Sequence, residues 1–322
     1  MAALHRLPKE LILQILRYLP LRTLEVVAHS HNHALTDLCL VLLQPVFRSR
    51  RALKRLKKQF ELVVHEDLPQ AMMDGLLSSS GREILALPPH AHLKQPPYPR
   101  NLDYLELSGD LRWLQPPCPS IAKHMAKYNR GCGVHEAAVA DLTASAERVG
   151  VRLPDPFLKF IQDVNRRDYV VKTDASRLEM ARGGLRKVPK SMDGGAGGYI
   201  IAFLAGMQYR IHLYLEPGEG GGYGLLEERS GFCEFCDSDD ERKADACPRK
   251  NRGVTQKDRD EAKSLGLAMM NFNPCIDLAL LGTDFEAWLA TRYYEKWLWF
   301  VGMKKSLASP ALKEYVRQNM VA

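Results

Sequence analysis

No apolar run in the 322 residues approaches the ~20 needed for a helix to cross a bilayer. An integral membrane protein is therefore not expected. Lys9, Glu10 and Arg17 interrupt the first apolar positions and no small-residue cleavage site follows them. An intracellular chain, cytoplasmic or nuclear, is the expectation. Cysteine is scarce and odd in number, seven in all, which speaks against a disulfide framework and for reduced thiols. Cys233 and Cys236 form one C-x-x-C, with Cys247 further on, but a second pair is missing and no histidine lies between Cys236 and the C-terminus. A four-ligand zinc site is thus left incomplete. The glycine-rich stretches Gly194–Gly198 and Gly218–Gly224 lack the G-K-[ST] ending of a phosphate loop, and His29 and His33 lack the H-E-x-x-H carboxylate. Neither a Ser/His/Asp set nor a carboxylate pair has spacing that argues for catalysis. No catalytic, cofactor or metal residue is expected, and the chain is read as a non-enzyme.

What is present points to recognition. Hydrophobic residues make up 46% of the chain, enough for real cores, and the length suggests about two domains. The formal charge of +7 is local. Arg48, Arg50, Arg51, Lys54, Arg55, Lys57 and Lys58 lie in one run without an acid and equal the whole excess. Such a run could meet nucleic acid or an acidic membrane surface. The plainer reading is a solvated helix whose Leu53, Leu56 and Phe60 pack inward. No aromatics interleave with the cations, so a stacking platform for single strands is not indicated.

The N-terminal block, residues 1–47, is the most informative stretch. Between Leu11 and Leu19 only Gln14 and Arg17 are polar, so the helix is apolar nearly all round and must be covered on more than one side. A short terminal segment followed by a basic run cannot be the centre of a large core. One face inside a small helical unit and the other under a second protein resolves this. Pro8 suits a first helical position and Pro20 ends the helix. Leu21, Leu24, Val27 and Ala28 mark a second stripe, and Leu35, Leu38, Val41 and Leu42 a third.

Beyond the basic helix (48–60), prolines crowd residues 61–119, expected to be an irregular linker or surface wrap, with a short strand or turn at 102–114. Residues 120–305 form the expected larger domain. Val134, Ala138, Leu142, Ala146 and Val149 share a helix face closed by Gly150. Leu153-Pro154 opens a helix carrying Phe157, Phe160, Ile161 and Val164. Residues 199–204 read as a central strand, and Tyr209, Ile211, Leu213 and Leu215 alternate as a half-buried one. Gly218–Gly224 should close a hairpin. A polar stretch at 229–263 reads as a surface insertion. Thr283-Asp284-Phe285-Glu286 reads as a capping box before a helix bearing Trp288, Trp297 and Trp299, expected in the core. Residues 306–322 give a last helix with Leu312, Tyr315 and Val316.

Leu7-Pro8, Glu10-Leu11-Ile12, Ile15-Leu16, Leu19-Pro20 and Leu24 to Ala28 together resemble an F-box over about residues 4–47. The tryptophan usual near the end of that motif is missing, with Val46-Phe47 the nearest aromatic position. F-box proteins bind a Skp-type adaptor and so bring substrates to a cullin-RING ubiquitin ligase. The resemblance implies adaptor-facing or adaptor-supporting roles for Leu7, Pro8, Leu11, Ile12, Ile15, Leu16, Leu19, Pro20 and Leu24. Residues 134–300 resemble the SUKH superfamily, which includes fungal cell-wall-assembly regulators and bacterial immunity proteins. The likeness lies in the helix, the Leu153-Pro154 element, the Phe157/Phe160 helix, the strands and the late aromatic helix. That superfamily is chiefly one of protein-binding modules.

The resulting expectation is an α+β chain: a small N-terminal three-helix unit, then a mostly antiparallel sheet flanked by helices. Its expected function is that of an F-box substrate receptor for a protein target still to be defined. The alternatives are a non-catalytic interaction regulator without ligase engagement and, behind it, a nucleic-acid-associated protein using residues 48–58.

Overall fold

Three long strands carry the larger unit, and their burial explains most of what surrounds them. The computed structural model describes residues 8–17, 26–29, 35–39, 51–52, 54–56, 58, 60, 92–93, 100–117, 119, 122–123, 136–171, 177–178, 184–205, 209–218, 221–229, 254–270, 277–301 and 309–321. Contacts divide the chain into residues 1–55 and 56–322.

In the first unit, α1 (Lys9–Arg17) is followed by helical residues at 26–28 and 35–39. Ile12 and Leu16, one turn apart, are buried with Ala28 and Cys39, and Val27, Leu35 and Leu38 pack around them. Burial pushes the Cys39 thiol up, which keeps it a small hydrophobe and not a nucleophile. Pro8 lies one residue before α1 and its carbonyl accepts from Leu11 N and Ile12 N. It therefore sits at the cap, not at the first helical position. Leu21, Leu24 and Val41 fall outside the described residues.

The second unit contains β1 (His92–Leu93), α2 (Glu136–Arg148), α3 (Asp155–Gln162), α4 (Val164–Val171), β2 (Arg177–Leu178), β3 (Arg186–Lys187), β4 (Tyr199–Ala205), β5 (Tyr209–Leu215) and β6 (Tyr223–Arg229). It continues with α5 (Gln256–Ser264), β7 (Ala268–Met269), β8 (Asp277–Gly282), α6 (Phe285–Val301), α7 (Pro310–Asn319) and β9 (Met320–Val321). Seven strands form one sheet in the order β7-β3-β4-β5-β6-β8, with β2 also paired to β4. Every pairing in it is antiparallel except β3 with β7. The expected α+β class, with a mostly antiparallel sheet and flanking helices, is the one observed.

Successive strand residues face opposite sides of the sheet. Ile201, Phe203, Ile211, Leu213 and Leu225 enter the main core with Phe157, Phe160, Phe285, Tyr293 and Leu312. Phe203, Phe157 and Phe285 pack with ring centroids 5.3–5.8 Å apart. On the other side, Ile200, Tyr214 and Leu226 pack with Leu56, Phe60, Val188, Met192 and Met270. β4 is buried along both faces, as its apolar run implies. β5 is not half-buried: His212 and Tyr214 are as enclosed as their neighbours. Its second face is covered by Leu56 and Phe60 at the end of the basic run, while Lys58 between them remains exposed. Gly224 makes that cover possible, because a Cβ there would lie 2.6 Å from Leu56 Cδ1.

Several expectations change. Residues 100–117 are not linker: Leu111, Trp113 and Leu114 are buried in the main core, and β1 pairs with β9. Prolines stop regular structure there but do not stop packing. Residues 254–264 are not surface insertion: Thr255 and Asp258 form a reciprocal capping box for α5, burying Asp258 and Ala262. Cys233, Cys236 and Cys247 lie outside the described residues. At α6 the cap is Asp284, whose Oδ1 accepts from Ala287 N at 3.0 Å, and Glu286 turns inward instead of back to Thr283. The last helix is part of the main core, through Leu312, Tyr315 and Val316. Val164 is exposed, since it opens α4 and does not extend α3. Gly150, at φ 69°, ends α2 as expected.

Candidate functional site

α1 is built so that its two apolar stripes have different fates. Residues four apart share a face of a helix. Ile12 and Leu16 are 7% and 4% exposed, whereas Leu11 and Ile15 are 45% and 44% exposed. Leu13 is half-buried between them and Pro8 is exposed at the start. In the same unit Val26 is 70% exposed. Burying Ile12 and Leu16 fixes the helix about its axis, and that leaves Leu11 and Ile15 outward. Of the residues singled out from the sequence, Pro8, Leu11 and Ile15 are thus accessible and Ile12 and Leu16 support from beneath. Leu7, Leu19, Pro20 and Leu24 lie outside the described residues. His29 is exposed on a turn.

The second unit carries polar groups that the sequence did not single out. Asp193 is fully buried in a glycine-rich turn, where its carboxylate accepts from Gly197 N at 3.0 Å, Gly198 N at 2.6 Å and Tyr214 Oη at 3.2 Å. Burial raises its pKa against the pull of those donors. A Cβ at Gly198 would lie 2.3 Å from Tyr214 Oη, so only glycine lets the turn close on the sheet. Lys187 is buried over the Tyr199 ring at 4.4 Å, donates to Gly197 O and lies 3.2 Å from Glu261 Oε1. Lys190 reaches the other oxygen of Glu261 at 2.8 Å, and this hydrogen bond holds the Glu261 carboxyl below its usual range. The cluster ties α5 to the turn. Lys187 and Lys190 both reach Glu261, and Asp193 holds the turn against Tyr214 of the sheet.

Further along the same sheet face, His212 Nε2 lies 2.6 Å from Glu228 Oε2, and Arg210 Nη1 lies 3.8 Å from Glu228 Oε1. Burial pushes the Glu228 carboxyl up, but the His212 hydrogen bond and the charges of His212, Arg210 and Arg186 outweigh it and lower the pKa. A carboxylate with a lowered folded pKa adds stability that is complete above its unfolded value and is lost as pH falls through the folded one. Glu228→Gln should therefore destabilise the chain at pH 7 and do so progressively less below about pH 4.3. Urea midpoints of both proteins from pH 3 to 7 check this; a constant offset would refute it. The alternation of Tyr209, Ile211, Leu213 and Leu215 places Arg210 and His212 toward solvent, so this network gives no sequence signal beyond polar residues in a strand.

Among the described residues no group of three or more His, Cys, Asp or Glu side chains is placed to hold a metal ion, and no helix is long and apolar enough to cross a membrane. No family model, no curated protein and no solved structure matches the chain.

Proposed function

We infer that the chain is a substrate receptor that docks a Skp-type adaptor through α1 and presents a protein target through its α+β unit. The carrying observation is the outward pair Leu11 and Ile15 on a helix already fixed by buried Ile12 and Leu16. A monomer gains nothing from keeping two large side chains half-exposed at one helical spacing, whereas a partner that covers them gains about 2 kcal/mol for each well-buried anchor. The resemblance of residues 4–47 to an F-box supplies the kind of partner, and that of residues 134–300 to SUKH modules supplies the target-binding role. Such a receptor needs no chemistry of its own; it acts by raising the local concentration of target beside a transferring enzyme.

The test follows from the two stripes. Leu11→Asp with Ile15→Asp should leave the fold intact, since both positions are outward, and should weaken adaptor binding more than a hundredfold in co-purification and calorimetry with a purified Skp-type adaptor. Leu16→Asp is the control and should unfold the first unit, because Leu16 is 4% exposed. If the wild-type chain does not bind the adaptor, the receptor reading is abandoned. A fall in melting temperature without a selective loss of binding would favour the regulator alternative.

A further inference from the structure

Arg167, on α4, is 4% exposed, yet among the described residues it makes no ion pair. Its Nη1 donates to Ile161 O at 2.5 Å and its Nε is buried without a hydrogen-bond partner. A guanidinium withdrawn from water without a counter-charge is strongly unfavourable. A chain could avoid that cost with a neutral residue unless the charge meets something the free chain lacks. Arg167 also lines an open cavity of about 510 Å³ between α2 and α3, floored by Val139, Ala140, Ala144 and Ile161. A second cavity of about 480 Å³ shares Thr143 and Glu147 with it and continues past Gly150 to Leu158 and Asp155. The two form one groove along α2, and Val164 is exposed at the start of α4.

We propose that this groove binds a short peptide segment of a partner protein, with a carboxylate of that segment received by Arg167. A guanidinium and a carboxylate match in shape and can bond through two parallel N–H groups. With Nη1 engaged by Ile161, the rest of the guanidinium is left for that pairing. The apolar floor suits apolar side chains next to the acid. Glu136 and Glu147 border the same cavity, so the occupant carries basic residues toward its ends. Eleven residues separate those two glutamates, or roughly 16 Å at the rise of an α-helix. About five extended residues cover that span. The same glutamates disfavour a phosphate group, whose charge approaches two. The binding mode is independent of adaptor docking.

The intact chain, immobilised, is challenged with pools of capped pentapeptides that have lysine at both ends, apolar residues at the second and fourth positions, and glutamate, glutamine or phosphoserine at the centre. The glutamate pool should be retained, and the other two should not. Arg167→Met should reduce retention at least tenfold without lowering the melting temperature, because it removes an uncompensated buried charge. Glu147→Lys, at an exposed position, is the second variant: it should weaken retention of the lysine-ended pool and strengthen that of an otherwise identical glutamate-ended pool. No retention by the wild-type chain overturns the proposal. So does equal retention of the glutamine pool, better retention of the phosphoserine pool, or indifference to Glu147→Lys.

Discussion

Replacing Glu286 with alanine is expected to cost about 4–5 kcal/mol, among the largest effects available to a single substitution in this chain. Glu286 is 3% exposed. Its Oε2 accepts from Gly109 N at 2.5 Å, and its Oε1 accepts from Leu111 N at 3.2 Å and from Trp113 Nε1 at 3.0 Å. These three donors lie in a loop with no ladder to satisfy them, and Leu111 holds a left-handed φ of 60° while fully buried. A left-handed conformation in a residue other than glycine persists only where its surroundings over-determine it. The carboxylate is that constraint, and its place in the first turn of α6 also suits the positive end of the helix dipole. Alanine would leave three donors without a partner, at about 1–3 kcal/mol each, partly relieved by water entering the loop. The melting temperature should fall by roughly 10 °C, and the emission of Trp113 should shift to longer wavelength before the global transition. Glu286→Gln keeps one acceptor and sets an amide N–H against a donor, so it should cost less than alanine but well over 1 kcal/mol. An unchanged melting temperature in Glu286→Ala would show that the loop is held by burial of Leu111 and Trp113 alone.

That contact shows where sequence reasoning stops. The residues of the loop and of α6 are 173 to 177 apart, and nothing in the local pattern of prolines says that a distant carboxylate will order them. Thr283-Asp284-Phe285-Glu286 has the spacing of a capping box, yet the glutamate serves the loop and Asp284 takes the cap. The reciprocal box forms at Thr255 and Asp258, in a stretch so charged that its polarity outweighed the same four-residue signal. The β4 run was legible because a strand buried on both sides needs no alternation. The adjoining β5 was legible as a strand but not in its burial, since Arg210, His212 and Tyr214 read as a wet face. The all-round apolar character of α1 was legible too, although the choice of Ile12 and Leu16 as its inner stripe depends on Ala28 and Cys39, which lie on later turns of the chain. Arg167 carries no signal in sequence at all. Its position among Arg166 and Asp168 suggests a solvated helix, and only the packing of α2 and α3 reveals that its charge is enclosed.

Phe60→Ala is expected to cost about 3–5 kcal/mol, the usual range for removing a buried aromatic, although Phe60 lies beside the most highly charged run of the chain. It is 3% exposed and meets the Tyr214 ring edge-on with centroids 4.8 Å apart, and Leu56, at 1%, lies one turn before it. Together they cover the face of β5 and β6 that a half-buried strand would have left to water. Edge-to-face aromatic pairs add about 0.5–1.5 kcal/mol to the burial itself, and the cavity left by alanine cannot collapse readily, because Tyr214 is held from the other side by Asp193 and the close approach of Gly198. Lys58→Ala, on the outer side of the same helical segment, should change stability by no more than about 0.5 kcal/mol. Urea unfolding of both variants makes the comparison. A large loss with Phe60→Ala beside a negligible one with Lys58→Ala identifies residues 56–60 as part of the second unit's core, with the basic run solvated because its apolar side is already spent on the sheet. A small loss with Phe60→Ala would mean that the segment can leave the sheet, and its cations would then have to be explained by a partner that draws it away.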